Sequence, residues 1–297
     1  MLQIRRLVQG VDEPVWVEVL NASRKDREDL RAITVEEMIL QEKEDPSFDL
    51  EGRFIAELDR SPVGAVHANV EKQREERKGF IRFYVIPESR GRGIERQLVE
   101  LALRELKDRG MAIAQAFIDS RERGYVELLE GLDFKQVRVV SNMEMELADI
   151  SQEIGENKQM AIRSLQKERE EEIRLLTWLL NETFKENFNF RPDTVEEVRY
   201  FLFSDLYYNE AKETFLAVLD DESVGYIGVG IDEKYNLEKK VQAGDIFTIG
   251  VLKQYRRRGI GARLMLHALE TLKAKGMTKA MLGVDDYNRT KAMKLYE

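Results

Sequence analysis

The chain of 297 residues contains no cysteine, which excludes a thiolate nucleophile, a disulfide framework and a cysteine-bound metal. Histidine is almost as scarce: His67 and His267 stand far apart without the spacing of a ligand pair, so no metal site is expected and each reads as a packing or surface residue. No apolar run approaches the ~20 residues of a membrane span, and the first residues, MLQIRRLVQG, are too polar for a signal peptide. A cytoplasmic chain without a membrane partner is the expectation. Basic residues are in deficit, 47 Lys and Arg against 56 Asp and Glu for a net charge of −9. That argues against nucleic acid, because a phosphate backbone demands a basic face, and it suits a cationic substrate better. Two familiar phosphate loops are also missing. There is no G-x-x-x-x-G-K-[ST], and Gly91-x-Gly93 meets Arg96 where G-x-G-x-x-G needs glycine.

The length suits two domains of about 150 residues, and a 43% apolar content can build two cores. The chain also repeats itself. FIAELDRSPVGAVHANV (54 to 70) aligns with FLAVLDDESVGYIGVGI (215 to 231) at a constant offset of 161 residues. FYVIPESRGRGIERQLVELALRELKDRGMAIAQ (83 to 115) aligns with IGVLKQYRRRGIGARLMLHALETLKAKGMTKAM at an offset of 166. Similar elements in the same order mean a duplicated domain.

Pattern gives each copy the same α/β order. Phe54 to Leu58 and Phe215 to Leu219 read as strands that turn at Ser61-Pro62 or Asp220-Asp221 into a second strand through Gly64 or Gly225. A third strand follows, Phe80 to Ile86 or Ile246 to Leu252, then a glycine loop. Ile260, Leu264, Ala268 and Leu272, with Met265 and Leu269 beside them, form the apolar stripe of a helix on a sheet. Gly110 and Gly276 mark its C-terminal stop. A short strand comes next, Ala112 to Ile118 or Ala280 to Val284, and then another helix. Helices over Glu13 to Ala22, Val35 to Glu42, Arg169 to Phe184 and Val195 to Phe203 precede the hairpins. Asn142 to Leu147 reads as the strand closing the first domain, giving domains over 1–150 and 160–297 joined by a polar linker, 151–159.

The second glycine loop, Arg256-Arg257-Arg258-Gly259-Ile260-Gly261, ends a strand and opens a helix. Free helix amides and the helix dipole then favour an anion at one spot, and glycine lets a phosphate approach the backbone. Together with Val251 and Tyr255 this run resembles motif A of the GNAT family of acyl-CoA-dependent N-acetyltransferases, in which Arg/Gln-x-x-Gly-x-Gly/Ala holds the coenzyme A pyrophosphate. The tandem arrangement is similar to mycothiol synthase-type double-GNAT proteins. The resemblance implies a mixed α/β sheet in each of two GNAT acyl-CoA N-acyltransferase domains, the second lacking its final strands.

It also implies residues. Arg256, Arg257, Arg258, Gly259, Ile260, Gly261 and Ala262 would hold acetyl-CoA, with backbone amides around Ile249, Gly250 and Val251 on the pantetheine arm and thioester. Asn288, Ala292, Leu295, Tyr296 and Glu297 match a family pattern, N-x-x-x-A-x-x-L-Y-E, which adds Asn288 to the coenzyme set and makes Tyr296 the general acid toward the departing thiolate. Asp245, eleven residues before Arg256, is the candidate base, with Asp285 or Glu210 as alternatives. The expected reaction is direct attack of a primary amine, of a small molecule or peptide, on acetyl-CoA. A non-catalytic acyl-CoA sensor or scaffold and a protein N-terminal acetyltransferase are the other readings, and a homodimer is a further assembly to test. The first copy has lost the site: Glu95 replaces Gly261, Leu129 or Glu130 replaces Tyr296, and Gly79 takes the place of Asp245. A carboxylate beside a pyrophosphate opposes binding, so the first domain is expected to be a platform, with a regulatory or residual coenzyme A site as the other reading.

Overall fold

The computed structural model describes residues 1–150, 160–204, 206 and 212–287, which form two compact units, Met1–Gln136 and Val137–Glu297. The expected linker 151–159, Glu210, Asn288 and Tyr296 lie outside the described residues. The first unit runs β1 (Leu2–Arg6), α1 (Glu13–Ser23), α2 (Val35–Glu44), β2 (Arg53–Leu58), β3 (Ser61–Val70), β4 (Lys78–Val85), α3 (Ile94–Asp108), β5 (Ile113–Ala116) and α4 (Arg123–Glu130). The second runs β6 (Val140–Glu146), β7 (Met160–Ser164), α5 (Glu170–Phe184), α6 (Val195–Phe203), β8 (Glu213–Leu219), β9 (Glu222–Gly230), α7 (Glu233–Lys239), β10 (Ala243–Val251), α8 (Ile260–Ala274) and β11 (Lys279–Asp285). Each unit is a mixed sheet, ordered β1-β2-β3-β4-β5 and β6-β11-β10-β9-β8-β7. The parallel pairs are β4 with β5 and β10 with β11. No helix among the described residues is long and apolar enough to cross a membrane.

The duplication extends to single hydrogen bonds. Thr34 with Glu37 and Thr194 with Glu197 form capping boxes at the starts of α2 and α6, which satisfy amides that have no intrahelical acceptor. Asn21 and Asn181 bridge α1 and α5 to the segments ahead of those caps by the same side-chain amide contacts. The hairpins turn on Asp59-Arg60 and Asp220-Asp221, all four at positive φ, as two-residue hairpin loops require. Ser61-Pro62, expected in the first turn, instead opens β3.

Six residues of the predicted α8 stripe, Ile260, Leu264, Met265, Ala268, Leu269 and Leu272, are buried against the second sheet. Each large apolar side chain taken from water there contributes about 1.5–3 kcal/mol. The helix thereby fixes the height and direction of the loop that precedes it.

One strand lies elsewhere than the sequence suggested. The segment around Asn142 to Leu147, expected to close the first domain, pairs antiparallel with β11 from Val140↔Asp285 to Glu146↔Lys279 and belongs to the second sheet. Leu147, 1% exposed, enters the same core as Leu264 and Leu272. Strand patterning identifies a strand but leaves open which edge it joins, since pairing is non-local. Among the described residues no strand follows β11, as expected of the second copy, and β6 covers the edge that would otherwise be exposed. The residues 134–139 ahead of β6 form no strand.

Leu147→Ala should therefore destabilise the second unit by about 2–5 kcal/mol, the usual cost of such a core truncation. Residue-resolved hydrogen exchange checks this: faster exchange is expected in β10 and β11, with β2 to β4 unchanged. Loss of protection confined to the first unit would contradict the assignment.

Candidate active site

After β10 the chain makes a short 3-10 turn, Lys253–Tyr255, and enters α8 through Arg256 to Gly259. Gly259 (φ 77°) caps the helix in the left-handed region, as Gly93 (φ 79°) does in the first unit. Arg257 (φ 64°) adopts the conformation that Gly91 (φ 72°) supplies in the first loop, at about 1–2 kcal/mol for a residue with a Cβ. Among the described residues, the N–H groups from Arg257 to Ala262 have no hydrogen-bond acceptor. These amides and the N-terminus of α8 form a place for an anion.

In the equivalent first loop one of these amides is satisfied from within. The buried Glu95 carboxylate accepts a hydrogen bond from the Gly91 N–H at 2.9 Å. Where Gly261 leaves the second loop clear of a side chain, the first copy carries its own anion.

The Arg256 guanidinium, expected to contact the coenzyme, is directed along the strand: its Nε donates to the Val251 carbonyl at 2.9 Å and a terminal nitrogen to Thr183 at 3.3 Å. Arg90 makes the corresponding bonds to the carbonyls of Val85 and Ser23. Both arginines tie the end of the central strand to the first long helix of their unit. The Arg258 guanidinium lies 5.4 Å from the centre of the Tyr255 ring, whose hydroxyl donates to Glu222 at 2.8 Å.

The second element of the site is a gap in the sheet. Parallel pairing of β10 with β11 lasts only from Ala243↔Lys279 to Asp245↔Met281. Beyond Asp245 the strands part: β10 continues against β9 alone, through Ile249, Gly250 and Val251, and β11 against β6 alone. A slot bordered by strand backbone thus leads from Asp245 toward the glycine loop.

A bulge interrupts β10 beside that slot. Ile246 pairs with Val229 and Thr248 with Gly228, so Phe247 is an extra residue; β4 pairs with β3 without interruption. Bulges of this kind re-aim side chains and favour functional edges. The bulge also changes an inferred equivalence. Gly79 and Gly244 both lie beneath the leucine that follows on their helix, Leu106 and Leu272, so Gly79 corresponds to Gly244. Phe80, opposite Asn69, is then the counterpart of Asp245, opposite Gly230. The gap-free alignment had set Gly79 against Asp245. The one-residue difference in spacing, Gly79 to Arg90 against Gly244 to Arg256, was the signal in the sequence.

On the α5 face of β10, the fully buried Tyr226 hydroxyl meets Thr183 Oγ1 at 2.8 Å and interacts with Thr248. Burial holds this phenol well above its ordinary range, so it is a packing anchor rather than a proton donor. A Cβ on Gly250 would stand 2.5 Å from the Tyr226 hydroxyl oxygen and 2.6 Å from Thr183 Oγ1, which is why this position has no side chain. Sequence reasoning missed this hydroxyl cluster, since it joins residues 43 apart in the chain. Asp285 ends β11 with its carboxylate 3.7 Å from Arg138, away from Asp245. Both histidines pack: buried His67 lies edge-on to Trp16, and half-buried His267 edge-on to Phe215 with ring centres 4.4 Å apart.

Asp245 is the titratable group that stands out. Burial first, and the charge of Asp232 second, push its carboxyl up to about 6. Near neutral pH it is ionised yet poised to accept a proton, the condition sought in a general base.

Two α/β units, each with a parallel strand pair beside a glycine loop and helix, define a duplicated acyltransferase fold. The chain belongs to the Acetyltransferase (GNAT) family, whose model matches residues 16–130 and again 173–297; it is a tandem GNAT protein. Among curated relatives it is 30% identical over 139 residues to mycothiol acetyltransferase of Thermomonospora curvata, covering 46% of this chain and 45% of that protein. It is 31% identical over 137 residues to the same enzyme of Thermobispora bispora, covering 45% and 46%. The chain thus spans less than half the length of the curated relatives it matches. Among solved structures, a GCN5-related N-acetyltransferase from Sphaerobacter thermophilus superposes with a TM-score of 0.72 at 21% identity, covering 99% of this chain and 90% of that one. A tandem GNAT protein from the clavulanic acid biosynthesis pathway gives 0.73 at 13% identity, covering 99% and 93%. At these identities the likeness concerns the fold alone.

The raised Asp245 pKa has a consequence for stability. A carboxyl whose folded value lies above its unfolded value near 3.8 destabilises the fold fully above about 6, and the penalty disappears below 3.8. Asp245→Asn should melt at a higher temperature than the wild type at pH 7, with the difference closing toward pH 4. Thermal melts across that range check it; a variant less stable at pH 7 would contradict the desolvated carboxylate.

Proposed function

We propose that the second unit is an acetyl-CoA-dependent N-acetyltransferase that acylates a primary amine of a small molecule or peptide by direct attack. The observation that carries this reading is the conjunction of the slot between β10 and β11 with the row of acceptor-free amides from Arg257 to Ala262. Bound acetyl-CoA supplies an activated acyl group as a thioester. The residues of the chain do the rest: amides of Arg257 to Ala262 bind the pyrophosphate, and the β10 backbone at Ile249 to Val251 orients the pantetheine arm.

Asp245 takes the proton of the attacking amine, directly or through water, and its carboxyl near 6 suits that role at neutral pH. Tyr296 donates a proton to the departing thiolate, a role that rests on its sequence pattern. Arg256 acts through the loop, holding it against α5. The first unit serves as a platform, since Glu95 occupies the anion position of its own loop.

Calorimetry with coenzyme A tests the binding half of the proposal. Gly261→Glu, which introduces the carboxylate found in the first loop, should weaken binding by at least about 100-fold, the scale of one misplaced charge against a phosphate, and the wild type should bind with a stoichiometry of one. Unchanged binding in Gly261→Glu would place the site elsewhere. Release of free thiol with a panel of polyamines, amino acids, aminoglycosides and N-terminal peptides tests the chemistry. Asp245→Asn should lower turnover by about 10²-fold to 10⁴-fold, the usual contribution of a positioned base, and should remove the acid limb near pH 6 from the rate profile. Tyr296→Phe should lower turnover while coenzyme A still binds. Coenzyme A binding without any turnover across the panel would favour the sensor reading.

A further inference from the structure

Near the open end of the slot, three separate segments converge on one side chain. Arg138, ahead of β6, places its guanidinium carbon 4.5 Å from the centre of the Phe188 ring and 5.3 Å from that of Tyr287. Its Nε lies 3.7 Å from a carboxylate oxygen of Asp285. Phe188 belongs to the segment between α5 and α6, and Tyr287 follows β11. The same α5–α6 segment reaches the end of β10, where Glu186 pairs with Lys253 at 2.7 Å. It therefore spans the two strands where they have parted, with the Arg138 cluster on the β11 side. A backbone hydrogen bond from Asp286 to Val139 at 3.1 Å joins the other two segments.

Two aromatic faces and a carboxylate around one positive charge constitute a cation site, in which ring quadrupoles and the anion act together. The cation in it is loosely held. Among the described residues, the only hydrogen bond of the Arg138 side chain is to the adjacent Val137 carbonyl, at 3.2 Å. Its ion pair to Asp285 is longer than a hydrogen bond, the side chain is 36% exposed, and residue 138 lies outside regular secondary structure. Phe188 and Tyr287 are 38% and 58% exposed, so a ligand can reach both rings. A structural cation–π contact needs one ring and no such access.

We propose that Phe188, Tyr287 and Asp285 form a subsite for the distal cation of the amine acceptor, an alkylammonium or guanidinium, and that Arg138 is a tethered occupant which the acceptor displaces. The proposal rests on the acyltransferase reading and names the substrate class for it, a small amine with a second positive charge. Asp285 lies four residues beyond Met281, the partner of Asp245, or roughly 13 Å along a strand. A linear polyamine can bridge such a distance, with one amine toward Asp245 and another between the rings.

Calorimetry on the full chain, with coenzyme A present so that no transfer occurs, provides the test. The probes are spermidine and heptylamine, which keeps one amine and lacks the others. Arg138→Ala should bind spermidine about tenfold more tightly than the wild type, with heptylamine unchanged. Arg138→Gln, which retains the length and polarity of the side chain, should show the same gain. Adding Phe188→Ala or Tyr287→Ala to Arg138→Ala should abolish it, with thermal melts confirming that each variant is folded. Unchanged or weaker spermidine binding in both Arg138 variants, an equal gain for heptylamine, or a gain that survives loss of either ring would overturn the proposal. The two readings fail separately: spermidine tightening without coenzyme A binding would sink the acyltransferase reading and leave the subsite standing, whereas turnover indifferent to Arg138 and Phe188 would do the reverse.

Discussion

The parallel ladder between β10 and β11 stops at Asp245↔Met281, and the site depends on that interruption. A continuous ladder would bury Ile249 to Val251 within the sheet and leave no slot beside them. The opening is tolerated because each strand keeps a full partner on its other side, β9 for β10 and β6 for β11. The placement of β6 in the second sheet is therefore part of how the opening is held: it keeps the opposite edge of β11 paired from Lys279 to Asp285 while β11 leaves β10. The Phe247 bulge completes the arrangement, placing one more residue between Asp245 and the glycine loop than separates Phe80 from the first loop.

The two copies provide an internal control on the anion loop. Their backbones agree at the left-handed positions, Gly91 with Arg257 and Gly93 with Gly259, and in the arginine that braces the end of the central strand. They differ in where the negative charge comes from. Glu95 contributes it from inside the first unit; at Gly261 the second unit contributes none. An amide already satisfied by a buried carboxylate gains little from a competing phosphate, and this is the difference on which the proposed assignment of the two loops rests.

Features that depend on neighbouring residues were legible in the sequence. The hairpins, the α8 stripe, the helix starts at Val35 and Val195 and the glycine loop all follow from local spacing and capping chemistry, and the duplication reinforced each one. What was not legible depends on pairing between distant segments. The edge joined by β6 is decided by the fit of Leu147 into the core of the second unit, and the Tyr226 cluster by packing of α5 on β10. The aromatic cage around Arg138 needs three segments that only the fold assembles. The bulge lies between these cases, since an extra residue between Gly244 and Arg256 was visible but its place in the ladder was not.

The central claim is that the second loop and its slot, and not the first, accept an acyl-coenzyme A. Hydrogen exchange of the full chain with and without coenzyme A measures this directly, because both loops report in one experiment. The account predicts slower exchange on ligand addition across residues 249–262 with residues 83–96 unchanged. Protection at 83–96, or at neither loop under conditions where coenzyme A is bound, would contradict it.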